Sequence, residues 1–165
     1  MHVIVLGIDP GLKNTGWGVI EQRGSHLRCV AYGSVATAPH QPAAERLAEI
    51  HAAVMAVITQ YQPEECAVES VYFGTNAKTA FATGQARGVA LLAASGLKIG
   101  EYGPAEIKKA VVGSGDADKR QVQYMVRAIL GLAEEPRPNH AADALAAAIC
   151  HANSRLVRTR MEPVP

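Results

Sequence analysis

Three acidic residues stand where the surrounding pattern could put them to chemical use. Asp9 closes the apolar run of "VIVLGIDPGLKNTGWG", Glu69 closes "CAVE", and Asp143 lies in "PNHAADALAAAI", three residues after His140. An unpaired carboxylate at the end of a buried strand is costly. Two held side by side raise a pKa or recruit a cation, and a hard divalent ion with oxygen ligands is the usual solution. Two strand-end acids plus one helix-borne acid can hold two divalent ions roughly 3.5–4 Å apart, which activates a water on one side of a phosphodiester and stabilises the leaving oxygen on the other. Each residue alone has a plainer reading. Asp before Pro-Gly starts turns, acids are enriched in first helical turns, and a histidine there is ordinarily a surface or capping group.

These residues become a site only if the right elements carry them. Residues 3–9, 16–22 and 26–37 read as three strands joined by tight connections, an antiparallel meander. Leu47, Ile50, Val54, Val57, Ile58 and Tyr61 recur at helical spacing, so 42–61 is an amphipathic helix that Pro63 ends. "CAVES" is a short buried strand. Asn76 caps a helix to about residue 95, "LKIGEY" is a fifth strand, a short helix follows Pro104, and Asp118 caps a helix to about 130. An alanine-rich helix then starts near Asn139, the expected cap; its small residues allow close approach to a sheet. The order βββ-α-β-α-β-α-α-α predicts an α/β fold: a five-stranded mixed sheet, meander first and βαβ crossovers after, with helices on both faces. Ligands gather at the carboxyl ends of strands in such sheets. If the fourth strand pairs beside the first, Asp9 and Glu69 become neighbours.

The chain has 165 residues, enough for one domain, expected over 1–158 with a flexible tail at 159–165. No apolar run reaches membrane-span length, and no leader segment is seen, so a cytoplasmic location is expected. Cys29, Cys66 and Cys150 are too dispersed for a disulfide framework or a zinc knuckle. The net charge of +1 hides an asymmetry: residues 1–75 hold four Lys/Arg and seven Asp/Glu, residues 76–165 twelve and eight. That suits a polyanionic partner, although solvated helix faces would give the same count. The opening strand–Asp–Gly-turn–strand unit fits a nucleotide as well as a nucleic acid, as in actin- and hexokinase-type domains. Those domains usually come in similar pairs, which 165 residues do not supply, and that reading leaves Glu69 and the aromatic pair Tyr72-Phe73 after it without a task.

"GIDPGLKNTGWGVI", "AVESVYFGTNAKTAFATGQARGVAL", "YGPAEIKKAVVGSGDADKRQVQYMV" and "HAADALAAAICH" follow one another over nearly the whole chain, and in this order they resemble the RuvC family of Holliday-junction resolvases, within the RNase H-like superfamily. The resemblance implies a homodimer that nicks four-way DNA junctions in pairs with divalent metal, Mg²⁺ or Mn²⁺, two ions per site, working beside a RuvA–RuvB branch-migration complex in recombination and repair. Carried over by position, the acids are Asp9, Glu69 and Asp143. The remaining metal position falls on His140, where many relatives have Asp and some His; imidazole is the softer ligand and favours Mn²⁺. Tyr72 takes the place of the base-stacking aromatic, with Phe73 beside it. The DNA-facing lysines fall on Lys108 and Lys119, the latter at a helix start that disfavours a cation unless a phosphate needs it. Lys13, Asn14, Lys109 and Arg120 are expected as supporting contacts. The helix over 77–93, with Gly84 and Gly88, is the candidate dimer interface; ordinary core is the alternative. A scaffold without catalysis and a related nuclease acting on RNA or hybrids are the remaining rivals.

Overall fold

A computed structural model describes residues 2–70 and 76–161, the last four of these by their backbone alone. Strand β1 (His2–Asp9) pairs antiparallel with β2 (Asn14–Arg23), and β2 with β3 (His26–Ala36). The chain then forms α1 (Ala43–Tyr61) and returns as β4 (Glu65–Glu69), parallel to β1 with Leu6 opposite Cys66. Helix α2 (Ala77–Ala93) leads to β5 (Lys98–Tyr102), parallel to β4. Helices α3 (Pro104–Val112), α4 (Lys119–Leu130) and α5 (Asn139–Met161) complete the chain. The sheet order is β3-β2-β1-β4-β5, so the fourth strand does lie beside the first.

Strand alternation splits the core in two. Leu6, Ile8, Val19, Cys66 and Val68 face α1 and α2, meeting Ile50, Val54, Ala86 and Ala90. Val3, Val5, Ile20 and Ala67 face α3, α4 and α5. Because side chains alternate with period two, Asp9 and Glu69 fall on the second face, the one α5 covers.

The glycines of the opening motif have a different task from the one their sequence suggests. They read as turn residues, yet positive φ occurs at Gly24, Gly113 and Gly131, and not at Gly7, Gly11, Gly16 or Gly18. A Cβ on Gly7 would stand 1.9 Å from the Ala144 carbonyl oxygen, and one on Gly16 1.9 Å from that of His140. One on Gly18 would strike Leu145 at 2.5 Å. These glycines form a trough in the sheet into which α5 sinks. Gly11 alone serves the reversal, since its Cβ would meet the Asn14 carbonyl oxygen at 2.4 Å.

A buried polar network fixes α5 at its other end. The His151 ring, 1% exposed, bonds Glu65 through Nε2 and the Tyr102 hydroxyl through Nδ1. Arg155 donates to Glu65 at 2.9 Å and to Gln22 at 3.3 Å. Burial alone would raise the Glu65 pKa, but the His151 and Arg155 bonds outweigh it and hold the carboxyl below its usual value.

One boundary differs from expectation. Helix α5 starts with Asn139 itself, and Ala141 N–H bonds the Pro138 carbonyl at 2.9 Å, so Asn139 is a first-turn residue and not the cap. The helix continues through Met161, and residues 162–165, the end of the stretch expected as a tail, lie outside the described residues. Among the described residues, no helix is long and apolar enough to cross a membrane.

Candidate metal centre and nucleic-acid interface

Asp9 ends β1 and Glu69 ends β4, and the parallel pairing of those strands brings both carboxylates to one edge. The first turn of α5 lies over that edge and supplies His140 and Asp143, three apart and therefore on one helix face. One ligand atom each from Asp9, His140 and Asp143 lies within 4.8 Å of the others. His140 Nδ1 is 3.1 Å from Asp9 Oδ2. Glu69 is not one of that triad, but it belongs to the same electrostatic cluster.

The charges in this cluster strain one another. Burial, and then the Asp143 carboxylate, raise the Asp9 pKa, while the His140 hydrogen bond and Lys119 pull against them. Glu69 is pushed up to about 7, first by burial and then by Asp9 and Asp143, against opposing pulls from Lys108 and Lys119. A partly buried O,O,N donor set with surplus negative charge fits a hard or borderline divalent cation. Among the described residues, no cysteine belongs to a cluster of His, Cys, Asp and Glu arranged to hold a metal; burial lifts the Cys66 and Cys150 thiols to about 12 and that of Cys29 to about 11.

A stability prediction follows for the protein in chelator. Glu69 starts from 4.5 unfolded and rises to about 7 folded. Between those values the native state binds the extra proton, so the contribution of Glu69 to stability is greatest below about 4.5 and is lost as pH rises through about 7. The decline should be about 2 kcal/mol after allowance for partial solvent exposure. Glu69→Gln should flatten it, as read from urea denaturation between pH 4 and 8 in EDTA. Parallel curves for the two proteins would refute this origin.

Two concave surfaces meet at the cluster. One, of about 290 Å³, is lined by Glu69 and Asp143 together with Lys108 from α3 and Lys119 from the start of α4. Lys119 Nζ lies 3.4 Å from Asp143 Oδ2, which compensates a cation at a helix N-terminus. Asp118 caps α4 reciprocally with Gln121, and Gly113, at φ 96°, ends α3 and starts the turn between them. The second surface, of about 520 Å³, is lined by His140, Lys13 and Asn14. Lys109 is exposed and does not line the first surface; Arg120 lies on a separate surface with Tyr124 and Glu135. Tyr72 and Phe73 lie outside the described residues.

Sequence reasoning missed several supporting groups. Arg87 on α2 donates from Nε to the Glu69 backbone carbonyl at 3.4 Å and pairs with Glu101 at 2.9 Å. Thr15 Oγ1 donates to the Gly11 carbonyl at 2.7 Å and accepts from Gly11 N–H at 3.2 Å, which closes the turn after Asp9. Nothing in local spacing signals either contact, because both join positions that only the fold brings together or that look like ordinary loop.

The chain matches, over residues 5–151, the family model described as "Crossover junction endodeoxyribonuclease RuvC". A protein of that name from Treponema denticola is 52% identical over 151 residues, 90% of this chain and 85% of the relative. One from Chloroflexus aggregans is 53% identical over 149 residues, 89% of this chain and 91% of the relative. Among solved structures, the T. thermophilus RuvC in complex with Holliday junction substrate superposes with a TM-score of 0.90 at 42% identity, covering 95% of this chain and 97% of that one.

Proposed function

The chain belongs to the RuvC family of crossover junction endodeoxyribonucleases, nucleases of RNase H-like fold, and on that footing we propose that it resolves four-way DNA junctions through Asp9, Glu69, His140 and Asp143. The observation that carries this assignment is the meeting of two adjacent strand ends and one helix turn, with Asp9, His140 and Asp143 donors inside 4.8 Å. Bound there, two divalent ions, Mg²⁺ or Mn²⁺, would supply an acidified water and offset the charge that gathers on the scissile phosphate.

The chain's own groups do the positioning. Asp9, whose carboxylate lies among the His140 and Asp143 donors, would help hold the metal with both of them. His140 donates or coordinates through a ring whose Nδ1 already faces Asp9, and its imidazole favours Mn²⁺. Glu69, whose pKa is raised by burial and then by Asp9 and Asp143, would hold the metal as the ionised carboxylate. Lys119 exchanges its Asp143 contact for a phosphate oxygen, and Lys108, on the same wall, orients the strand. Tyr72 and Phe73 stack on unpaired bases at the junction centre, each stack worth about 1–3 kcal/mol.

A two-fold dimer matches a substrate that must be cut in two symmetry-related strands. Helix α2 suits its interface. Ala86 and Ala90 are buried against the sheet, whereas Phe81 is 70% and Leu92 65% exposed, and a Cβ on Gly84 or Gly88 would meet nothing within 4 Å. The helix thus has an inner core face and an outer apolar one, and a RuvA–RuvB complex is the proposed further partner, in the cytoplasm.

The test is cleavage of a four-way junction and of a linear duplex with the same arm sequences, with Mg²⁺ or Mn²⁺ and with chelator. Paired, symmetric, metal-dependent nicks in the junction are expected, with the duplex left intact. Equal cutting of both, or cutting in chelator, would overturn the reading.

A further inference from the structure

A strand cut in its middle continues on both sides of the scissile phosphate. The Lys108–Lys119 wall accommodates one side; the surface on the other side of the cluster begins at His140. Its lining includes Lys13, Arg46 and Lys78 and no carboxylate. Lys13 comes from the β1–β2 turn, Arg46 from α1 and Lys78 from the first turn of α2. Two of the three belong to the acidic half of the chain, so charge totals by segment conceal the groove.

Arg46 is held in place. Its Nε donates to Thr37 Oγ1 at 2.8 Å. Thr37 in turn donates from Oγ1 to the Leu12 carbonyl at 2.6 Å and from its backbone N–H to the Lys13 carbonyl at 3.0 Å. The guanidinium is therefore fixed relative to the loop that carries Lys13, and its terminal nitrogens make no hydrogen bond among the described residues. A planar donor fork fixed in this way suits a phosphate. Lys78 stands exposed one residue into α2, whose first turn holds no acid. A cation there opposes the helix dipole, and Thr79 beside it lines the same groove.

We infer that Lys13, Arg46 and Lys78 form a second phosphate-binding groove, which holds the DNA strand on the His140 side of the scissile phosphate. The inference rests on the junction-resolving function proposed above and adds a binding track to it. The groove recognises backbone charge and not base identity, since cationic side chains contacting phosphates carry no sequence information.

The experiment measures junction binding by wild type, Arg46→Gln, Arg46→Lys and Lys78→Gln in Ca²⁺ across a salt series, on junctions with single neutral methylphosphonates on either side of the cleavage position. Each Gln variant should lower the salt slope by about 0.7–0.9 and weaken binding about five- to tenfold near 0.1 M salt. Each should also lose sensitivity to a neutral phosphate on one side of the cut while keeping it on the other. Arg46→Lys should retain most of the slope. If both Gln variants keep the wild-type slope and the wild-type response to every neutral phosphate, the groove is not on the DNA path. Should Arg46→Gln not fold, the exposed Lys78→Gln decides by itself. Failure of wild type to bind or cut the junction would instead refute the function on which the groove depends.

Discussion

Asp9→Asn should lower junction cleavage at least about a thousandfold while leaving junction binding intact. The change keeps shape and removes one charge, so the fold has no reason to respond. What it removes is the group at the centre of the cluster: Asp9 faces His140 at 3.1 Å, and after burial its carboxylate and then that of Asp143 raise the Glu69 pKa. A loss of that size corresponds to about 4 kcal/mol of transition-state stabilisation, the scale expected if the proposed metal ligand becomes a neutral amide. In chelator the variant should bind the junction as tightly as wild type or more so, because one charge that repels phosphate is gone. Single-turnover cleavage with saturating Mn²⁺, beside binding in EDTA, checks both halves. More than a tenth of wild-type cleavage would remove Asp9 from the reaction, and a parallel loss of binding would make its role structural.

Gly16→Ala should destabilise the protein by about 2–4 kcal/mol, above the usual cost of one added methyl group in a core. It should also reduce cleavage more than a hundredfold in the molecules that still fold. The added Cβ would fall 1.9 Å from the His140 carbonyl oxygen and 2.2 Å from its carbonyl carbon. Both are backbone atoms, so no rotamer change relieves the clash and α5 must move away. His140 and Asp143 ride on the displaced turn, whereas Asp9 and Glu69 stay with the sheet. Gly96→Ala, where the methyl meets nothing within 4 Å, is the matched control. Urea denaturation of both variants, and cleavage by the folded fraction, provide the readout. Wild-type stability in Gly16→Ala would mean that α5 does not sit in the glycine trough.

The part of this molecule legible in the sequence is the part governed by local rules. Helical spacing placed α1, and the Asn76 and Asp118 caps placed the starts of α2 and α4 to the residue, because a cap and its N–H partner lie three positions apart. Apolar runs ending in an acid placed Asp9 and Glu69 at strand ends. Family motifs then pointed to candidate acids and lysines, and the fold brings Lys108 and Lys119 to one surface with Glu69 and Asp143.

The tertiary structure decided what depends on residues far apart in the chain. Only strand order puts β4 beside β1 and turns two separate acids into one strained cluster. Only the packing of α5 shows that Gly7, Gly16 and Gly18 receive a helix instead of bending a turn. Lys119 against Asp143, Arg87 on the Glu69 carbonyl, and Arg46 tied through Thr37 to the Lys13 loop each join positions that no local spacing relates. Periodicity and capping are properties of a few neighbouring residues and survive in a linear reading. Charge compensation and close approach arise where distant segments share a volume, and they exist only once the chain has folded.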